Sequence, residues 1–159
     1  MKERVMEIPA GLLAPGARDA DFAPLARLDE LPPGTMLRVT HGDLDLLVAH
    51  TPEGVCLTDD RCPHMSAPLS LGALEDCIVA CPLHSGRFDV RTGETVQFPT
   101  TGGLDADGNY HAPWVPPGTA PRPPPSDLKA RARAATRVRR LRYYPIRIRE
   151  GIIEARLPG

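Results

Sequence analysis

Proline and glycine divide this sequence into short segments, and this limits the folds that the chain can adopt. The chain has 19 prolines and 14 glycines among 159 residues, about a fifth of the total. Proline ends helices and removes a hydrogen-bond donor from strands, while glycine favours turns. The sequence is therefore too interrupted for a helical bundle and predicts short strands joined by turns. We expect strands near 24–27, 35–41, 44–50 and 54–58.

The size and the apolar pattern of the chain predict its domain count and location. A chain of 159 residues favours a single domain, here 1–159, with a modest core. No apolar run approaches the roughly 18 residues of a membrane-spanning helix, and the N-terminal residues lack the apolar stretch of a secretory signal. We therefore expect a cytoplasmic protein with no membrane partner. In that reducing compartment, metal binding or buried free thiols are the expected states of Cys56, Cys62, Cys77 and Cys81.

Charge is distributed unevenly along the chain. Residues 1–121 carry 8 Lys+Arg and 17 Asp+Glu, whereas residues 122–159 carry 11 basic and 3 acidic residues. A basic tail permits a nucleic-acid-binding interpretation, although folding back onto the acidic body or plain solvation is the simpler interpretation. We expect the basic segment to dock on the acidic body.

Residues 99–142 differ in composition from the segments on either side. Seven prolines occupy the thirteen positions 113–125, so residues 99–126 are predicted to form a loop or polyproline-like crossing and not a packed element. Ser126 and Asp127 could then cap a short helix, although the following residues also alternate Arg and Ala with the period of a strand. Alternation resumes at 143–157 and predicts a terminal β-hairpin. We expect this Pro-rich and basic insertion to wrap the β body away from the histidines at 64 and 84.

Two short motifs carry the chemistry of the sequence. Cys62-Pro63-His64 and Cys81-Pro82-Leu83-His84 each supply one thiolate and one imidazole, and 16 residues separate them. Two Cys and two His suit zinc, although zinc modules usually bring two Cys from one loop and two His from another. A disulfide with incidental histidines requires an oxidising compartment. A mixed pair from each of two loops also fits a two-metal cluster, with one Cys per loop on one iron and one His per loop on the other.

Around these residues the chain resembles the Rieske-type 2Fe-2S family, and in particular its small soluble ferredoxins. The similarity to the cluster-binding subdomain of that family extends without a gap over the segment DDRCPHMSAPLSLGALEDCIVACPLHSGRFDVRTGE. The resemblance implies one 2Fe-2S cluster, with Cys62 and Cys81 on an inner iron and His64 and His84 on an outer one. It also implies an all-β fold: an antiparallel β sandwich or barrel with an inserted cluster-binding subdomain at about 59–94.

The same resemblance implies an electron carrier and not an independent enzyme. Its donor would be a flavoprotein reductase and its acceptor an oxygenase. One alternative is the electron-transfer small subunit of a larger reductase, such as a nitrite reductase, which the long 99–142 insertion favours. Another is a redox-sensing nucleic-acid-binding protein that uses residues 129–149.

Some positions depart from the respiratory members of the family, and others have simpler interpretations. Ala67 and Leu83 stand where respiratory members have cysteines, so the disulfide between the loops cannot form. This favours the lower-potential ferredoxin branch of a range of about −150 to +300 mV. Pro99 is a candidate cover for the cluster. The simplest roles for the remaining residues are buried thiols for Cys56 and Cys77 and ordinary loop or strand histidines for His41, His50 and His111.

Overall fold

Short antiparallel strands make up most of the fold. The structure is a computed structural model that describes residues 4–123 and 126–158. The strands are β1 Phe22–Arg27, β2 Met36–His41, β3 Leu44–Thr51, β4 Gly54–Asp59, β5 Ala73–Glu75, β6 Ile78–Ala80, β7 Arg87–Asp89, β8 Thr95–Gln97, β9 Gly103–Leu104, β10 Tyr110–His111, β11 Ile146–Arg149 and β12 Ile152–Arg156, and the helix is α1 Leu128–Ala134. The all-β prediction is confirmed, and in the described ranges the sheets stay open and do not close into a barrel.

The central sheet consists of β2, β3 and β4 in sequence order, each antiparallel to the next. Successive residues of β3 point to opposite faces, as in any strand. Leu47 and Ala49 enter one hydrophobic core, and Leu46 and Val48 enter the other. All four side chains are at most 1% exposed, because both faces of the sheet are covered. The predicted strands near 35–41, 44–50 and 54–58 are thus confirmed.

The terminal sheet covers one face of the central sheet. It has the order β1-β12-β11, so the two ends of the fold meet in it. The predicted hairpin at 143–157 is confirmed as β11 and β12, which turn at Glu150 and Gly151, both with positive φ. Ile153 and Ala155 of β12 are fully buried in the core that this sheet shares with β3 and β4.

The loop sheet, formed by β5 to β8, lies on the other side of the central sheet. Its strands pair in sequence order, and each of the four has only three residues. Val79 and Phe88 from this sheet are fully buried in the same core as Leu47 of β3. This sheet lies within and just beyond the predicted subdomain at 59–94, and the two loops that carry the Cys/His motifs flank β5 and β6.

The insertion at 99–142 contains more regular structure than its proline content predicts. β9 and β10 form a small hairpin, in which Asp105 accepts hydrogen bonds from His111 (2.9 Å) and from backbone N–H groups. These bonds, the His111 bond above all, lower the pKa of Asp105 to about 2. Asp127 caps α1, because its carboxylate accepts from the Ala130 N–H at 2.7 Å. The cap and helix are therefore confirmed, whereas the prediction that 99–126 holds no packed element is wrong.

The insertion also touches both Cys/His loops. The Thr100 N–H donates to the His84 carbonyl (2.9 Å), and the Arg139 N–H donates to the Pro63 carbonyl (3.1 Å). Val138 is buried in the core that contains Cys62 and Cys81. The expectation that this segment lies away from the histidines is wrong, because apolar burial and backbone hydrogen bonding hold it against the loops. The predicted charge pairing with the acidic body is present: Arg140 pairs with Glu94, and with Asp107 at 3.2 Å.

Candidate metal centre

The two Cys/His loops share one backbone turn although their motifs differ in spacing. The Cys62 N–H donates to the Ala67 carbonyl (2.7 Å), and the Cys81 N–H donates to the Gly86 carbonyl (2.8 Å). Each bond closes a turn from a cysteine to the fifth residue after it. The fourth residue after each cysteine has positive φ, 60° at Ser66 and 61° at Ser85. The motifs are therefore presented by two similar turns, one on each side of β5 and β6.

These turns bring the two cysteines together. Cys62 and Cys81 are 2% and 6% exposed, and the thiol of Cys62 donates to the sulfur of Cys81. This bond and burial raise the pKa of Cys62, whereas the same bond lowers the pKa of Cys81 to about 6. The two thiol groups therefore lie close enough to interact directly.

Backbone donors surround both sulfurs. The N–H groups of His64 and Met65 donate to the sulfur of Cys62, and those of Leu83 and His84 donate to the sulfur of Cys81. Such donors stabilise negative charge on sulfur and tune the potential of an iron–sulfur centre. This is the environment that thiolate ligands require.

The two histidines form a second pair beside the thiols. The ring centroids of His64 and His84 lie 5.4 Å apart, with the rings at 77° to each other. His64 is 7% exposed, and burial, followed by the nearby His84, lowers its pKa. The Nδ1 atom of His84 is buried and has no hydrogen-bond partner among the described residues. A ring nitrogen without a hydrogen-bond partner is available to bind a metal.

The four side chains form a thiol pair and an imidazole pair. Within residues 4–123 and 126–158, no three His, Cys, Asp or Glu side chains are grouped so that they could hold a single metal ion. Two pairs, with donors around the sulfurs and an orphaned ring nitrogen, fit a centre that has two metal positions.

Two neighbouring residues shape the surroundings of the centre. Pro99 is buried, and its Cγ lies 3.5 Å from the point where a Cβ on Gly86 would stand, so Pro99 packs against the second loop. The buried carboxylate of Asp60 accepts from the Ser70 N–H (2.8 Å) and from Arg38 (3.0 Å), which ties the first loop to the central sheet. Asp60 and the donors Thr100 and Arg139 were not predicted, because their partners are distant in the sequence and nothing in the residue types marks the pairings.

The remaining candidate residues lie outside the centre. Cys56 and Cys77 are free, buried thiols of the core, as predicted, and burial raises the pKa of Cys56 to about 12. His41 is exposed. His50 binds the Leu31 carbonyl through Nδ1 (2.8 Å), and His111 stacks on Phe98 with centroids 3.8 Å apart. These three histidines are ordinary strand residues, as expected.

Fold and site together define an antiparallel β protein with a two-cysteine, two-histidine centre on paired loops. Comparison with known families agrees, because residues 21–110 match the Rieske 2Fe-2S domain. The match covers more than half of the chain. The chain belongs to the Rieske 2Fe-2S domain family, whose domains carry a 2Fe-2S cluster.

Individual relatives place the chain more narrowly within the family. It is 40% identical over 74 residues to the ferredoxin component of the naphthalene 1,2-dioxygenase system of Pseudomonas aeruginosa, covering 46% of this chain and 71% of that protein. Its fold is similar to the Sphingomonas yanoikuyae B1 ferredoxin, with a TM-score of 0.57, 22% identity, and coverage of 87% and 100% of the two chains. It is also similar to a chain in the complex of reduced oxygenase and oxidised ferredoxin of carbazole 1,9a-dioxygenase, with a TM-score of 0.52, 24% identity, and coverage of 85% and 92%.

None of the helices in the described ranges is long and apolar enough to cross a membrane.

Proposed function

We propose that this chain is a Rieske ferredoxin that passes single electrons from a flavoprotein reductase to an oxygenase-type acceptor in the cytoplasm. Its ligands would be Cys62 and Cys81 on one iron and His64 and His84 on the other, and 1–159 would form one Rieske domain. The observation that carries the proposal is the arrangement of a buried thiol pair beside an imidazole pair with an unpartnered His84 Nδ1. The similarity to dioxygenase ferredoxin components supports the same role.

The residues of the chain account for the requirements of such a carrier. A bound 2Fe-2S cluster supplies a centre that takes up and releases one electron. The four backbone N–H groups on the two sulfurs stabilise negative charge, and neutral imidazoles add none. Met65 and Leu83 stand next to the two histidines and are 54% and 58% exposed. These apolar side chains can exclude water from a contact with a partner protein.

Replacing the proposed ligands tests the assignment. We expect Cys62→Ser or Cys81→Ser to remove the cluster, because a hydroxyl does not replace a thiolate on iron. The wild-type chain should hold two irons and two acid-labile sulfides and give a reduced-state EPR signal with a lower average g than all-cysteine clusters. Cys56→Ala is the matched control, since it removes another buried thiol of the same core and should leave the iron and sulfide content unchanged. Stoichiometric zinc without sulfide would contradict the assignment.

Reconstituted turnover tests the carrier role. The chain would replace the ferredoxin in an assay with the reductase and oxygenase components of the naphthalene 1,2-dioxygenase system. We expect NADH-dependent product with the wild-type chain and none with Cys62→Ser. If the reductase reduces the cluster but the oxygenase and its substrate do not reoxidise it, this class of acceptor is wrong.

A further inference from the structure

A concave, arginine-rich surface lies beside the first Cys/His loop. We call it the arginine pocket. Its wall contains four arginines, and the N-terminal segment and the first loop complete it with apolar side chains that include Leu12, Leu13 and Pro63. The four arginines are Arg61, Arg139, Arg140 and Arg142. Three of them belong to the 99–142 segment, so the pocket exists only because that segment packs against the body.

Among the residues that line this pocket, four arginines stand against one carboxylate, so its wall carries a net positive charge. Arg140 is held by two acids, Glu94 and Asp107. The other three arginines are less engaged. Arg61 reaches Asp45 only at 3.6 Å, Arg142 reaches Asp59 only at 3.7 Å, and both are 51% exposed.

Arg139 adds a charge that no acid offsets. It is exposed, and the ion pairs within residues 4–123 and 126–158 do not include it. Asp59 is the carboxylate that lines the pocket, and it also accepts a hydrogen bond from Tyr144 at 2.5 Å. The pocket therefore has unused positive charge.

The position of the pocket ties it to the candidate metal centre. The Arg139 N–H donates to the carbonyl of Pro63, which lies between Cys62 and His64. Arg61 directly precedes Cys62. A group seated in the pocket thus lies against the loop that carries half of the proposed ligands, and any protein docked there approaches the centre from this side.

We propose that the arginine pocket is the docking site for a carboxylate-rich segment of the redox partner protein. This rests on the proposed carrier function. Arginine side chains bind carboxylates through paired hydrogen bonds, and half-exposed charges steer association. A nucleic acid fits the surface less well, because the site is a concave pocket with partly apolar walls, whereas the phosphates of a duplex are spread along its length. The chain thus uses its insertion to select an acidic partner.

The rate at which small redox probes oxidise the reduced, cluster-loaded full chain tests the charge of the arginine pocket. Ferricyanide is an anionic oxidant, and hexaammineruthenium(III) is a cationic one. At low salt we expect Arg139→Glu to slow oxidation by ferricyanide about fivefold and to accelerate oxidation by hexaammineruthenium(III). Both effects should disappear in 0.5 M salt, because salt screens the charge at position 139. Arg149→Glu is the matched control, since it reverses the same charge on β11 outside the pocket and should change both rates less. Equal effects of the two variants would overturn the proposal.

Binding probes identify the kind of partner. We would measure the anisotropy of a fluorescent octapeptide of six Glu and two Leu, and of a fluorescent 20-base-pair DNA duplex, with the same full chain. We expect the peptide to bind at low salt, and we expect Arg139→Glu but not Arg149→Glu to weaken its binding about tenfold. Tighter binding of the duplex, lost in the same variant, would overturn the proposal in favour of a nucleic acid. A chain without a cluster would give no redox signal and so contradict the carrier function, while peptide binding would still report on the pocket.

Discussion

At the scale of single residues, the buried carboxylate of Asp60 holds the first Cys/His loop in place. Its side chain is fully buried and pairs with Arg38 at 3.0 Å. It also accepts from both the N–H and the hydroxyl of Ser70, in the middle of the short 3-10 turn that follows the first loop. Removing the carboxylate takes this acceptor from both Ser70 donors and the buried partner from Arg38.

We therefore predict that Asp60→Ala lowers the free energy of unfolding by about 3 kcal/mol. Anaerobic denaturation followed by circular dichroism measures this change. Asp45→Ala is the control, since Asp45 pairs with the same Arg38 at 3.1 Å from a partly exposed position and should cost about 1 kcal/mol or less. Equal losses in the two variants would show that burial of Asp60 is not what matters.

At the scale of elements, the loop sheet depends on a close approach of two backbones. Gly72 lies between the 3-10 turn and β5, and a Cβ placed on it would stand 1.8 Å from the carbonyl oxygen of Ala80. Ala80 ends β6 and directly precedes Cys81. Any side chain at position 72 must therefore push apart β5 and the strand that positions a proposed ligand.

We predict that Gly72→Ala destabilises the protein by about 3 kcal/mol and lowers cluster occupancy. Gly42→Ala is the control, because Gly42 has φ +59° but open space around it. A side chain there meets no neighbour, so the strained backbone alone should lower the stability, by about 1 kcal/mol. Unfolding midpoints together with iron content measure both effects. A Gly72→Ala protein with full iron content and an unchanged midpoint would contradict the close approach.

At the scale of the whole molecule, the 99–142 segment is part of the structure around the candidate centre. Its Thr100 and Arg139 N–H groups bind the carbonyls of His84 and Pro63, and its Val138 is 1% exposed in the same core as the cysteines. The segment therefore supports both loops at once.

We predict that deleting 100–140 and joining the ends with a short glycine-containing turn makes the cluster labile. Both loop carbonyls lose a donor, and the core loses Val138. The rate of iron release to a chelator, followed by visible absorbance, should rise at least several-fold over the wild type. A shortened control that deletes only 115–121, a stretch between the hairpin and α1, should release iron at the wild-type rate. Equal stability of the larger deletion would mean that the segment is only an appendage.

Features that depend on neighbouring residues could be predicted from the sequence. Strand alternation located β2, β3, β4 and the terminal hairpin, because inward and outward positions follow from the period of two. The capping role of Asp127 was predictable for the same reason, because an N-cap side chain accepts a hydrogen bond from a backbone N–H only two or three residues away. The Cys/His spacing selected four side chains, which the structure brings together in two pairs; their assignment as ligands stays a prediction.

The location of the insertion, in contrast, depends on contacts between residues far apart in sequence. Its proline content predicted an unpacked crossing, but the bonds from Thr100 and Arg139 to the two loops join residues far apart in sequence. Backbone N–H and C=O groups are the same in every residue, so such pairings leave no trace in residue type. The arginine pocket is hidden in the sequence for the same reason: Arg61 and Arg139 are 78 positions apart and meet through the packing of the segment on the body.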